Sequence, residues 1–162
     1  MIQIEKFTTV DFQRFIDWIE SEEMMLQFCG TLFTYPVTHE QLAAYVKIEN
    51  TQAFKITNTQ TQLVIGHAEI FCEKPITAKL CRILIADPIA RGQGLGKAII
   101  QKLTNYCLET LKVDQIELNV YDWNTAAIRC YENSGFKVNP SKTSTTIYKD
   151  SEWTAINMIF EK

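Results

Sequence analysis

The chain has 162 residues, 46% of them apolar and 22% charged, and a formal net charge of −3. That length buries a sizeable core and is expected to form one domain over 1–162. The mild acidity argues against non-specific nucleic-acid binding. No apolar run approaches membrane-spanning length and the first six residues lack a signal-peptide core, so a cytoplasmic protein without nucleic-acid or membrane partners is expected.

Ile2 and Ile4 alternate with polar neighbours and predict a first strand. Thr8 or Thr9 caps a helix whose face is Phe12, Phe15, Ile16 and Ile19. Ser21 caps a short, mostly apolar second helix over 22–28, stopped by Gly30. Thr38 and Gln41 form a capping box for a third, reaching about Ile48. Extended runs at 52–57 and 63–71 predict a hairpin across the polar stretch 58–62. Period-two geometry puts Leu63, Ile65, His67, Glu69 and Phe71 on one face, and Gly66 marks a bulge or a close backbone approach.

The run 80–86 shows no polar alternation from Ile83 to Ala86, as expected of a central strand covered on both faces. Asp87-Pro88 closes it, and a helix over 97–111 follows, with Ile99, Ile100, Leu103, Tyr106, Cys107 and Leu111 on its apolar face. Gln115–Tyr121 predicts a strand, Asn124 opens a helix that Gly135 stops, and 145–148 with 154–160 predict a last hairpin. The elements mix helices and strands without repeats or linkers, an α+β domain. Five scattered cysteines form neither a C-x-x-C pair nor a metal-ligand spacing; free thiols and no metal are expected.

Between the central strand and the long helix lies Arg91-Gly92-Gln93-Gly94-Leu95-Gly96, followed by Lys97. Glycines at a helix N-terminus let an anion approach unpaired backbone N–H groups, and Arg91 and Lys97 add positive charge, so the corner predicts a pyrophosphate cradle. Arg91 and Ala98 break the triphosphate P-loop pattern, and Lys97 breaks the dinucleotide fingerprint. Further on, Asn124 and Tyr131 stand two helical turns apart with Ala126 and Ala127 between, leaving a groove that bears a phenol or, read blandly, a capped helix with a core tyrosine.

Together, Arg-x-x-Gly-x-Gly and Asn-x-x-Ala-x-x-x-Tyr-x-x-x-Gly-Phe resemble the paired acetyl-CoA motifs of the GCN5-related N-acetyltransferase (GNAT) family. The resemblance implies a three-layer α/β arrangement: a mixed, mostly antiparallel twisted sheet, flanked by helices, whose central strands splay apart. It implies that the pantetheine arm of acetyl-CoA bonds to the backbone of Leu84, Ile85 and Ala86. Arg91, Gly92, Gln93, Gly94, Leu95, Gly96 and Lys97 would hold the pyrophosphate, Asn124 would touch the cofactor arm, and Tyr131 would lie near the sulfur. Trp18 and the stretch Phe33-Thr-Tyr-Pro-Val-Thr look like the subgroup that includes ribosomal-protein and small-amine acetyltransferases.

The reaction so implied moves acetyl directly from acetyl-CoA to a primary amine, on a small molecule or a peptide N-terminus, in a monomer or homodimer. Tyr131 is then the acid for the leaving thiolate. Many family members carry Glu where this chain has Asn119, so the base falls to Glu117, Glu69, His67 or relayed water. A catalytically weak acetyl-CoA sensor or interaction module is the alternative.

Overall fold

The computed structural model describes residues 1–86 and 94–161. Strand β1 (Ile2–Lys6) leads through a 3-10 turn into α1 (Phe12–Asp17), α2 (Glu22–Cys29) and α3 (His39–Tyr45). Strands β2 (Thr51–Asn58), β3 (Leu63–Lys74) and β4 (Thr77–Ile85) come next, then α4 (Leu95–Asn105). Strand β5 (Gln115–Tyr121), α5 (Thr125–Glu132), β6 (Lys137–Tyr148) and β7 (Ser151–Glu161) complete the chain. The helix starts follow the cap chemistry: Ser21 accepts from the Met24 amide and Thr38 from the Gln41 amide, each contact contributing about 1 kcal/mol.

The strands form one sheet in the order β1-β2-β3-β4-β5-β7-β6, antiparallel throughout except for the β4–β5 pair. Ile99, Ile100 and Leu103 of α4 bury one face of the sheet against Ile70, Leu80, Ile116, Leu118 and Met158. On the other side Phe12 and Phe15 of α1, Met25 of α2, and Leu42 and Tyr45 of α3 pack around Phe7. Each such side chain contributes about 1.5–3 kcal/mol by leaving water. This is the expected three-layer, mostly antiparallel arrangement. No helix among the described residues is long and apolar enough to cross a membrane.

Two irregularities shape the centre of the sheet. In β3, Ile56 pairs with Gly66 but Thr57 with Val64, leaving Ile65 as an extra residue. This bulge corrects the period-two reading. Ile65 joins Ala68 and Ile70 in the α4 core, while the His67 ring stands against Phe7 and Phe15 on the opposite face. Gly66 is also the close approach its residue type suggested, since a Cβ there would collide with the Leu84 carbonyl oxygen.

In β4, His67 pairs with Leu84 and Glu69 with Cys81, so two steps on β3 face three on β4. Arg82 absorbs the excess at φ +48°, a conformation ordinary side chains rarely adopt. The long helix departs from the reading over 97–111: α4 ends at Asn105 and a π-helical turn, Tyr106–Thr110, follows. The last hairpin is longer than alternation alone suggested.

Candidate active site

The parallel ladder between β4 and β5 runs only from Thr77↔Gln115 to Leu80↔Leu118. Beyond those pairs, residues 81–85 and 119–121 share no ladder pairs among the described residues. The gap opens where the strand carries the Arg82 bulge, so the two strands diverge as the family resemblance implied.

On the α4 side, Gly94 caps the helix in the left-handed region at φ +76°, and none of the described residues fills the space at its missing side chain. The first backbone bond of the helix is Ala98 N–H to the Gly94 carbonyl, at 3.3 Å. The amides of Leu95, Gly96 and Lys97 therefore lie in the first turn, where a helix leaves its donors without internal partners. Gly96 serves a different need. A Cβ there would lie 3.2 Å from Cys130 Sγ and 3.6 Å from Ile85 Cδ1, so its absence lets α4 start against α5 and the tip of β4. Arg91, Gly92 and Gln93, like Asp87 and Pro88, lie outside the described residues.

At the end of β4, the Ala86 amide donates to the Ile65 carbonyl at 2.8 Å. That N–H is therefore committed to β3. Leu84 and Ile85 precede it at the rim of the gap. On α5, Asn124 caps the helix by accepting from the Ala127 amide at 3.3 Å, the bland role its position suggested, and its amide NH2 is not used in that contact. Tyr131 packs its ring against Phe136, with centroids 6.2 Å apart. Burial, with a smaller effect of Cys130, pushes its phenol above the ordinary value, so it stays protonated at neutral pH.

The opposite face holds the charged groups. Glu69 is 3% exposed and accepts from Arg82 Nη1 at 2.6 Å through Oε1, while its buried Oε2, like the buried Nε of Arg82, has no hydrogen-bond partner among the described residues. Register pairing puts Glu69 beside Cys81 and Lys79 beside Glu117. Glu117 accepts from Lys142 Nζ at 2.8 and 2.9 Å. Partial burial pushes the Glu117 carboxyl up, but Lys142, by hydrogen bond and charge, with Lys79 and Asn157, brings it below its usual value. Asn157 also donates to the Leu118 carbonyl and to Asn119. Glu69, Lys79, Cys81, Arg82, Glu117 and Lys142 line one cavity of about 620 Å³, together with the apolar Leu32, Ile48, Phe71 and Ile159.

His67 sits apart from this chemistry. Its Nδ1 donates to the Arg82 carbonyl at 3.0 Å, and its Nε2 is 3.4 Å from the Tyr45 hydroxyl. Burial holds its pKa down to about 4, the Arg82 carbonyl only partly offsetting it. The ring is a satisfied structural group. The five cysteines are free thiols.

Several residues of the cavity escaped the sequence. Lys79 shares the parity of Cys81 on the central strand and was findable on that ground. Arg82 was not, because its bulge depends on the pairing with β3. Lys142 and Asn157 reach Glu117 only through the β5–β7–β6 pairing.

Known proteins resemble the chain over all or part of its length. It is 21% identical to an N-acetyltransferase 9-like protein of Nematostella vectensis over 141 residues, 80% of this chain and 71% of that one. It is 36% identical to a spermine/spermidine N(1)-acetyltransferase of Bacillus subtilis over 53 residues, 33% of this chain and 35% of the relative. The fold matches the crystal structure of a Vibrio cholerae spermidine N-acetyltransferase in complex with CoA and spermine, at TM-score 0.81, 17% identity and coverage of 99% and 95%. It matches the aminoglycoside acetyltransferase AAC(6')-Ib in complex with coenzyme A and kanamycin at TM-score 0.76, 17% identity and coverage of 100% and 95%. With residues 2–137 matching the acetyltransferase (GNAT) domain, the chain belongs to the GNAT acetyltransferase family.

Proposed function

We propose that this protein transfers the acetyl group of acetyl-CoA directly to an amine acceptor across the gap between β4 and β5. The observation that carries the reading is the end of the parallel ladder at Leu80 and Leu118, with a protonated phenol and a glycine-capped helix start on one side and a carboxylate-lined cavity on the other. The first turn of α4 fits a pyrophosphate: it carries no acidic residue, and none of the described residues fills the space at Gly94. The amides of Gly94, Leu95, Gly96 and Lys97, with Arg91, Gly92 and Gln93, hold that group. The backbone of Leu84 and Ile85 and the side chain of Asn124 hold the pantetheine arm. Acetyl-CoA supplies an already activated acyl carbon and a thiol leaving group.

The chain's own residues then have few tasks. The walls of the gap hold the amine in attack geometry, which removes much of the entropic part of the barrier. A free alkylamine is mostly protonated at neutral pH, so the attacking nitrogen must lose a proton. Glu69 Oε2, buried and without a partner among the described residues, receives it, while Arg82 holds the other oxygen. Glu117, with its pKa lowered, keeps its charge and orders Lys142 rather than taking protons. Tyr131 gives its phenolic proton to the departing sulfur.

Calorimetric titration with CoA, followed by thiol release from acetyl-CoA in the presence of amines, tests the reading. Wild-type protein binds CoA and releases thiol only when an amine is present. Gly94→Val, which sets a branched side chain at φ +76° beside the amides, loses most CoA affinity. Unchanged affinity in a folded Gly94→Val variant refutes the pyrophosphate assignment.

A further inference from the structure

We propose that the acceptor is an amine that also carries a carboxylate close to its nitrogen, an α-amino acid rather than a polyamine. The inference rests on the acetyl-transfer reading and on the charges that line the cavity beside the gap. Two carboxylates, Glu69 and Glu117, face three cations, Lys79, Arg82 and Lys142. Glu69 is paired with Arg82 and Glu117 with Lys142. Lys79 has no carboxylate partner among the described residues, and its ammonium lies 3.2 Å from the neutral side-chain amide of Asn119.

Two groups of opposite demand therefore remain. Among the described residues, Glu69 Oε2, in a side chain 3% exposed, lacks a hydrogen-bond donor, and half-buried Lys79 has no carboxylate within ion-pair distance, the nearest in register being Glu117, which Lys142 already holds. Their positions follow from register. Glu69 pairs with Cys81, and Lys79 is two residues earlier on the same strand and face, a diagonal neighbour. Such neighbours lie about 7–8 Å apart along the backbone. The flexible stem of Lys79 and the shorter arm of Glu69 can close that span onto one small molecule bearing both groups.

The orientation is also fixed. Glu69 stands beside Cys81, just past Leu80 where the β4–β5 ladder ends, so an amine bonded to Oε2 lies at the gap. Lys79 lies within the paired segment and holds the carboxylate away from the gap. Leu32, Ile48, Phe71 and Ile159 offer an apolar wall for a side chain. A polyamine placed here would set a second ammonium against a lining that already has a cation in excess. A peptide N-terminus would leave Lys79 without its anion.

The test uses the full chain with acetyl-CoA and three sets of acceptors: the twenty α-amino acids, their matching carboxamides, and spermine. Thiol release gives kcat and KM, and product mass confirms acetylation. The preferred amino acid should exceed its carboxamide in kcat/KM by roughly tenfold to a hundredfold, the worth of a charge-assisted hydrogen bond. Lys79→Met should erase that ratio by raising KM for the amino acid alone, and Lys79→Gln should do the same should the methionine variant fail to fold. Calorimetric titration of the same amino acids and carboxamides into CoA-saturated protein reads the preference independently of turnover. Preference for carboxamides or spermine overturns the acceptor class, as does equal loss for acid and amide in the lysine variants. A protein that binds no CoA overturns the acetyl-transfer reading, and this inference with it.

Discussion

Substituting Gly96 by valine tests whether the start of α4 is set by packing. A Cβ at this position already falls 3.2 Å from Cys130 Sγ and 3.6 Å from Ile85 Cδ1, so the two methyl groups beyond it have no room on that side. Overpacking of this kind costs about 1–3 kcal/mol. The helix propensities of glycine and valine differ by only a few tenths of a kcal/mol, which does not offset it. For a chain of 162 residues, a loss of about 2 kcal/mol lowers Tm by roughly 4–8 °C. The fold survives, since domains of this kind are stable by roughly 5–15 kcal/mol. Trimming the neighbour separates packing from any effect on the loop. Cys130→Ala removes the sulfur, so the double variant should recover at least about 1 kcal/mol relative to additivity. Urea denaturation of the four proteins in the cycle gives the coupling directly. A Gly96→Val protein that melts within about 2 °C of wild type, or a cycle with no coupling, refutes the packing argument.

Arg82→Met leaves the Glu69 carboxylate buried without its partner and should cost about 3–5 kcal/mol by urea denaturation, much of it recovered in the Glu69→Gln/Arg82→Met double variant. Equal stability of the two variants would show that Arg82 does not compensate the buried Glu69 charge. His67 is neutral in the folded protein because burial lowers its pKa to about 4, against about 6.5 unfolded. A depressed histidine contributes stability that is complete above pH 6.5 and lost as pH falls from there toward 4, about 3 kcal/mol in all. The loss should be absent in His67→Gln; an unchanged pH dependence in that variant would assign it to other groups.

The layers of the fold were legible because the periodicities are strong. The α4 face of Ile99, Ile100 and Leu103 and the caps at Ser21, Thr38 and Asn124 follow from local chemistry and stand where the sequence indicates. The bulges were less accessible. Gly66 announced one, but which residue was extra depended on the β2 partner, and the error moved Ile65 to the wrong face. Arg82 carried no signal at all, because its left-handed backbone follows from the mismatch between β3 and β4. Glycine spacing in the loop suggested an anion site, which remains a proposal, yet the same letters did not distinguish Gly94, which caps the helix, from Gly96, which packs against Cys130. The proposed acceptor side was least visible. Its charges come from β3, β4, β5 and β6, and only the sheet order brings Glu69, Lys79, Glu117 and Lys142 to one cavity.

The central claim, acetyl transfer with Tyr131 as proton donor, is tested most directly by kcat in wild type and Tyr131→Phe at neutral pH with a good amine in hand. The substitution keeps the ring against Phe136 and removes only the hydroxyl, so Tm and CoA affinity should hold. General acid catalysis is worth roughly a hundredfold to ten-thousandfold, and a thiol leaving group with pKa near 8.5 places the effect at the low end. The account predicts a fall in kcat of about a hundredfold with the amine KM little changed. Wild-type turnover by Tyr131→Phe across neutral pH, or CoA binding without thiol release for any amine, would contradict it.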